Sequence, residues 1–208
     1  MEVIRDEKSG QPGSQGPGPR ERILKAALEL FVEQGYFNTN VPDISKRSRC
    51  SVGSIYHHFL NKEEIAQQLY QDGIKQFREA ILPSIDSSLP LKTNIENLIQ
   101  TFLSFAETHR LLSRYLWLAR HTEFLSKKIA LPTFVGYDEL GRKLTLAIKN
   151  AMRNGEVPKH KAQILWTMIF GMPISYIRDW LDGYVADEPS VVAPTIAKAC
   201  YAAIRGSS

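Results

Sequence analysis

The sequence predicts an all-α protein, and three observations carry that expectation. Apolar residues recur at helical spacing from residue 20 onward, no stretch sustains period-two alternation with β-branched enrichment, and prolines and glycines divide the chain into segments of helical length. With 208 residues, 43% of them hydrophobic, the chain can bury a sizeable core, or a small one joined to a larger. The expected division is a leader over 1–19, a compact three-helix unit over 20–65 and a helical bundle over 66–208.

Residues 9–19, SGQPGSQGPGP, hold too little apolar surface to offset chain entropy and read as a flexible leader. Ile23, Leu24, Ala27, Leu28 and Phe31 then share one helical face, and Gly35 stops that helix, giving 20–34. Asn40 can cap a second helix over 41–48, with Pro42 tolerated in its first turn and Asp43 favoured by the dipole. After a brief Arg49-Cys50 turn, Ser51 can cap a third short helix that carries Gly53, Ile55, Tyr56 and Phe59. Asn61 caps a fourth, with Glu63 and Glu64 in its first turn, running to about 81 before Pro83. Pro90, Pro132, Gly155 with Pro158, and Gly183 through Pro189 then separate helices over 91–107, 110–128, 133–153, 159–182 and 190–205.

Several function classes are excluded or disfavoured. Cys50 and Cys200 lie far apart and outside any C-x-x-C pair, so neither a disulfide framework nor a zinc site is expected, and a reducing cytoplasm is the simplest home. The start MEVIRDEKSG lacks the features of a secretory signal. The apolar run ILWTMIFGMPISYI (164–177) is shorter than the ~18–20 residues that span a bilayer and reads as a buried helix. His57 and His58 have no acid or cysteine at ligand spacing, and His109, His121 and His160 show no metal spacing. With no paired nucleophile or phosphate loop either, no enzymatic activity, cofactor or metal is expected. A net charge of +4 is compatible with a polyanionic partner without requiring one.

Two short helices joined by a tight turn and held by a preceding amphipathic helix make a helix-turn-helix, whose second helix enters the DNA major groove by its N-terminal end. Gly53 removes a side chain where backbone and base edges must come close. Ser51 and Ser54 offer hydroxyls, Tyr56 and His57 extend toward the strands, and Ile55 and Phe59 point into the small core. Lys62, beside the N-terminus of helix four, is expected to complete a phosphate clamp.

The stretch ILKAALELFVEQGYFNTNVPDISKRSRCSVGSIYHHFLNKEEI resembles the DNA-binding domain of the TetR family of bacterial one-component repressors. The residues that carry the resemblance are Ala26-Ala27, Leu30-Phe31, Gly35-Tyr36, Ile44, Ser51, Gly53, Ile55-Tyr56, His58-Phe59 and Lys62-Glu63. It implies that Val52 and Gly53 face bases and that Tyr56, His57, His58 and Lys62 lie near phosphates. It also implies that Thr39, Asn40 and Val41 bring the start of helix two to the DNA backbone. This chain departs from the pattern in three places. Ser48-Arg49-Cys50 stands where Ala-Gly-Val is common, so a left-handed Arg49 would cost ~1–2 kcal/mol unless a phosphate contact holds it. Asn40 replaces a usual threonine, and Ser45 puts a hydroxyl at a small apolar packing position.

Residues 62–208 are too many for DNA binding alone. The resemblance implies that they form a bundle that dimerises through the helices at 159–182 and 190–205, holds a small-molecule inducer and releases a palindromic double-stranded operator when it does. Helix four is the natural lever between the two sites. Trp117, Arg120, His121, Phe124, Phe134, Tyr137, Met168, Met172 and Tyr176 are the candidate pocket residues. They suit a hydrophobic or amphipathic inducer, with Arg120 or His121 anchoring an acidic or polar group. The rival reading is a helical protein-interaction bundle that has lost DNA binding, which the Arg49-Cys50 turn motivates.

Overall fold

A computed structural model of the chain describes residues 16–118 and 139–206. Every regular element among the described residues is helical: α1 (Pro19–Glu33), α2 (Val41–Ser48), α3 (Val52–His58), α4 (Lys62–Ile81), α5 (Leu91–Thr108), α6 (Arg110–Leu118), α7 (Glu139–Arg153), α8 (Ala162–Leu181) and α9 (Pro189–Arg205). Residues 16–18 are non-helical and Pro19 already opens α1, while 1–15 of the expected leader lie outside the described residues. Of the helices expected at 110–128 and 133–153, the parts at 119–138 lie outside them as well.

Local chemistry sets the bounds. Gly35, at φ 85°, ends α1 in a conformation that favours glycine. Asn40 Oδ1 accepts from Asp43 N at 2.9 Å and Asp43 Oδ2 accepts from Asn40 N at 3.1 Å, a reciprocal cap that starts α2. Asn61 Oδ1 accepts from Glu64 N at 2.8 Å and starts α4. Pro83 does not end the helical path at once, because one 3₁₀ turn (Leu82–Ser84) follows α4. The side chain of Asn94, fully buried, then accepts from Asp86 N at 2.8 Å and donates to Asp86 O at 2.8 Å and Leu89 O at 3.1 Å, which pins the loop before α5.

The buried side chains form two clusters. The first joins Ile23, Ala27, Leu30 and Phe31 of α1 to Ile44, Ile55, Phe59 and the first half of α4, and Tyr115 and Leu116 of α6 close it. The second gathers the far end of α4 (Phe77, Ile81) with α5, α7, α8 and α9, and α9 packs chiefly along α5. Phe77 meets Phe102, Phe105 and Trp117 edge-on at ring-centroid distances of 4.8, 5.3 and 5.2 Å. Such pairs contribute ~0.5–1.5 kcal/mol each beyond their burial. Helix α4 therefore belongs to both clusters and runs unbroken through residue 65, where the sequence suggested a boundary. It is held to α6 by Tyr115, whose buried hydroxyl donates to Ala66 O at 2.9 Å, and by a close approach at Gly73, where a Cβ would fall 2.7 Å from Leu112 Cδ1.

Among the described residues no helix is long and apolar enough to cross a membrane, and no group of three or more His, Cys, Asp or Glu could hold a metal ion.

Candidate nucleic-acid interface

The α2–α3 turn closes around a left-handed arginine. Arg49 has φ 55° and ψ 34°, the one non-glycine residue with positive φ among the described residues. The serines that looked like departures from the expected pattern hold it there. Ser45 Oγ donates to Cys50 O at 2.6 Å, Cys50 N donates to Ser45 O at 3.3 Å, and Ser48 Oγ accepts from Cys50 N at 3.3 Å. A strained residue persists where its surroundings over-determine it, and three bonds across a six-residue span do so here. Cys50 is buried in the first cluster, and Arg22 Nη2 donates to its sulfur at 3.5 Å. The turn thus brings α2 and α3 together, which removes the structural motive for the rival reading.

Helix α3 is anchored on one side and open on the other. Ser51 Oγ accepts from Ser54 N at 3.1 Å to start it, while Ile55 and the following Phe59 are buried. Ser51, Val52, Gly53, Tyr56 and His57 are exposed, and Ser54 and His58 are half-buried. The large apolar surfaces of Val52 (39% exposed) and Tyr56 (54%) face outward without cover from the other described residues. A Cβ added at Gly53 would meet only Ser51 Oγ at 4.0 Å, so neither internal packing nor a positive φ requires glycine there. Glycine loses more backbone freedom on ordering than any other residue, so its place in the first turn of α3 is a cost with no return inside the described residues and points to something outside the chain approaching this backbone.

Asn40 and Arg49 are exposed beside this face, Val41 is half-buried, and the Arg49 guanidinium makes no hydrogen bond or ion pair among the described residues. Arg47 is committed differently, to Glu33 at 2.8 Å and Glu29 at 3.3 Å. Its hydrogen bond to Glu33 holds that carboxyl below the usual carboxylate range.

Two residues of the expected DNA-binding set are engaged within the protein. Thr39 is 1% exposed; its hydroxyl donates to Gly35 O at 2.9 Å and accepts from Gln34 Nε2 at 3.3 Å, so the side chain builds the α1–α2 turn and is not on the surface. Lys62 is half-buried, and its Nζ donates to Tyr36 O and Thr39 O at 2.7 Å each while lying 4.2 Å from the Tyr36 ring centroid. Burial pushes this ammonium below the ordinary lysine range and pushes the Tyr36 phenol up, with Glu63 adding to the latter. In this structure two of the three Lys62 ammonium protons go to protein carbonyls.

In the bundle, a cavity of about 140 Å³ lies between α7 and α8, lined by Leu144, Ile148, Met152, Leu165, Trp166 and Ile169, with Thr145, Lys149 and His160 as polar members. Of the expected pocket residues within the described part of the chain, Trp117, Met168, Met172 and Tyr176, none lines it. Trp117 packs on Phe77 and Phe102, Met168 is half-buried against the second cluster, Met172 is exposed, and the Tyr176 hydroxyl donates to Asp187 O at 2.8 Å. Arg120, His121, Phe124, Phe134 and Tyr137 lie outside the described residues. The cavity's own polar groups escaped sequence reasoning because Lys149 and His160 come together only when α7 packs on the start of α8.

Comparison with known proteins bears on this geometry. Residues 23–69 match the family model described as bacterial regulatory proteins, tetR family. The chain is 30% identical over 112 residues to the biofilm operon icaADBC HTH-type negative transcriptional regulator IcaR of Staphylococcus epidermidis, an alignment covering 53% of this chain and 58% of that protein. The fatty acid degradation regulator FadR from Bacillus halodurans superimposes with a TM-score of 0.75 at 18% identity, over 93% of this chain and 100% of that one. The transcriptional regulator FadR from Bacillus subtilis, solved in complex with stearoyl-CoA, superimposes with a TM-score of 0.70 at 20% identity, over 88% and 98%. At those identities the likeness shows the fold alone. The chain spans about half the length of the curated relatives it matches.

Proposed function

We propose that this chain, a member of the TetR family through its N-terminal domain, is a sequence-specific DNA-binding transcriptional regulator that acts as a repressor in the bacterial cytoplasm. The observation that carries the reading is the open face of α3: a glycine that no contact among the described residues requires, set between exposed Val52 and exposed Tyr56. In this reading Val52 and Gly53 approach base edges in the major groove. Asn40, Val41, Arg49, Ser51, Ser54, Tyr56, His57 and His58 position the domain on the backbone.

The working unit is a homodimer formed by α8 and α9. Ile164 and Met172 of α8 and Val191 of α9, the last 71% exposed, support an apolar face awaiting a partner. Two copies of α3 then sit about one DNA turn apart, roughly 34–36 Å, and match the half-sites of a palindrome. A small hydrophobic or amphipathic inducer in the bundle favours a different spacing and shifts the population off DNA, through a coupling of ~1–3 kcal/mol. The apolar cavity between α7 and α8, with one lysine and one histidine, supports such a ligand. So does the amphipathic stearoyl-CoA held by the Bacillus subtilis neighbour.

Titration of labelled duplex with the purified chain across a salt series tests the reading. A regulator's affinity falls steeply as salt rises because counterions are released on binding. Negligible binding at every salt concentration contradicts it and favours an interaction bundle.

A further inference from the structure

The first turn of α3 offers methyl groups and hydroxyls to its surroundings. None of residues 51–58 is an arginine, lysine, asparagine, glutamine, aspartate or glutamate, the side chains that read guanine, adenine or cytosine by hydrogen bonds to the base edge. Ser51 Oγ already accepts from Ser54 N at 3.1 Å, and Ser54 is half-buried. A serine hydroxyl both donates and accepts, so it discriminates poorly between bases. Asn40, at the start of α2, is held in its reciprocal cap with Asp43. Tyr56 and His57 stand one turn further along α3, behind the end that enters the groove. Val52 remains, at the first position of the helix and 39% exposed. Its outward surface is two methyl groups with no polar atom, and thymine alone among the four bases shows the major groove a methyl group.

A valine side chain ends two bonds from Cα, so it touches a base edge only where the backbone itself comes deep into the groove. Gly53 allows that approach, since even a Cβ there would meet only Ser51 Oγ at 4.0 Å and the glycine leaves this space empty. The two residues therefore act as a pair: the bare position sets the depth, and the valine makes the contact.

We propose that Val52 is the specificity-determining residue of α3 and that it reads the C5-methyl group of a thymine in each operator half-site by apolar contact. This rests on the DNA-binding reading above and goes beyond it by naming the group that is read.

The test removes the methyl group from the DNA. The full wild-type chain selects a duplex from a random library, and each thymine of the selected duplex is replaced in turn, in both half-sites, by deoxyuridine, which keeps the pairing edge and the O4 acceptor. Affinities are measured for the wild type, Val52→Ala and Val52→Ser, with a scrambled duplex of equal length as reference and thermal unfolding as the check on folding. Because the first change lies in the DNA, a folding defect cannot imitate its effect. Expected is one thymine position at which deoxyuridine costs the wild type about fourfold per half-site, the worth of one buried methyl-sized group. At that position thymine and deoxyuridine bind equally in both variants, while scrambled-duplex affinity and salt slope stay as in the wild type because valine carries no charge. A wild type indifferent to every replacement overturns the proposal and leaves the reading to Arg49 or to DNA shape. Undiminished sensitivity in the variants overturns it too, since another side chain then touches the methyl. So does an equal loss on selected and scrambled duplexes, which marks a structural role for Val52. A wild-type chain that selects no duplex overturns the DNA-binding reading itself, and this inference with it. That outcome is distinct from a selected duplex whose thymine methyls do not matter.

Discussion

The Ser45 hydroxyl donates to the Cys50 carbonyl at 2.6 Å, bridging the left-handed Arg49 that joins α2 to α3. A position where glycine would fit without strain is occupied by arginine, and a serine side chain five residues before Cys50 helps hold the geometry.

Two substitutions separate strain from function at this turn. Ser45→Ala is expected to cost about 1 kcal/mol by removing a hydrogen bond. Arg49→Gly is expected to raise stability by about 1 kcal/mol by relieving the left-handed conformation. If Arg49 reaches a phosphate, the same glycine reduces the salt slope of DNA binding by about 0.9. Thermal unfolding and a salt titration of both variants check the pair of effects.

At Gly53 stability and function are expected to move in opposite directions. Gly53→Ala places a Cβ in open space in the first turn of a helix, so stability rises, by less than the ~0.5–1 kcal/mol of a helix interior. Affinity for the selected duplex falls, and falls further in Gly53→Val, because the added side chain stands between α3 and the bases. Paired unfolding and binding curves give both signs.

Gly73 makes the contrasting case. A Cβ there would fall 2.7 Å from Leu112 Cδ1 and 3.2 Å from Leu116 Cδ2, so Gly73→Ala overpacks the α4–α6 crossing. The expected net effect is destabilisation of roughly 1 kcal/mol, since overpacking of ~1–3 kcal/mol exceeds the helical gain. Adding Leu112→Ala to Gly73→Ala is expected to relieve the clash, so the two effects are non-additive in a thermal-unfolding double-mutant cycle.

The cavity between α7 and α8 carries its own reporter, Trp166, which stacks on Phe170 at 4.9 Å. Medium-chain fatty acids and aromatic acids are expected to change Trp166 emission and raise the melting temperature. Saturation at 100 times Kd is worth ~2.7 kcal/mol. Lys149→Met is expected to weaken the acids more than the matching alcohols. No emission change in the wild type beyond that of Trp166→Phe would mean that these compounds do not enter the cavity.

Much of the fold is legible because its signals are local. Asn40 with Asp43, Ser51 and Asn61 mark helix starts by side-chain bonds to backbone three residues on, so α2 and α4 run over the residues that their caps imply. The open face of α3 follows from its spacing, with Ile55 and Phe59 turned inward. The internal partners of Lys62 are not legible, because they are backbone carbonyls 26 and 23 residues away and a carbonyl has no signature in sequence. The burial of Thr39 is hidden for a related reason, since a buried hydroxyl and an exposed one look alike until the turn closes. The cavity is not legible because aromatic and methionine content marks core as readily as a ligand site, whereas Lys149 and His160 line one cavity only through tertiary packing.

Selection of bound sequences from a random duplex library by the purified chain, at two salt concentrations, decides whether this chain reads DNA sequence. A dimeric regulator recovers one palindromic motif, with half-sites about one helical turn apart, bound more tightly at low salt. Recovery of no motif by a folded, dimeric protein would contradict the DNA-binding reading.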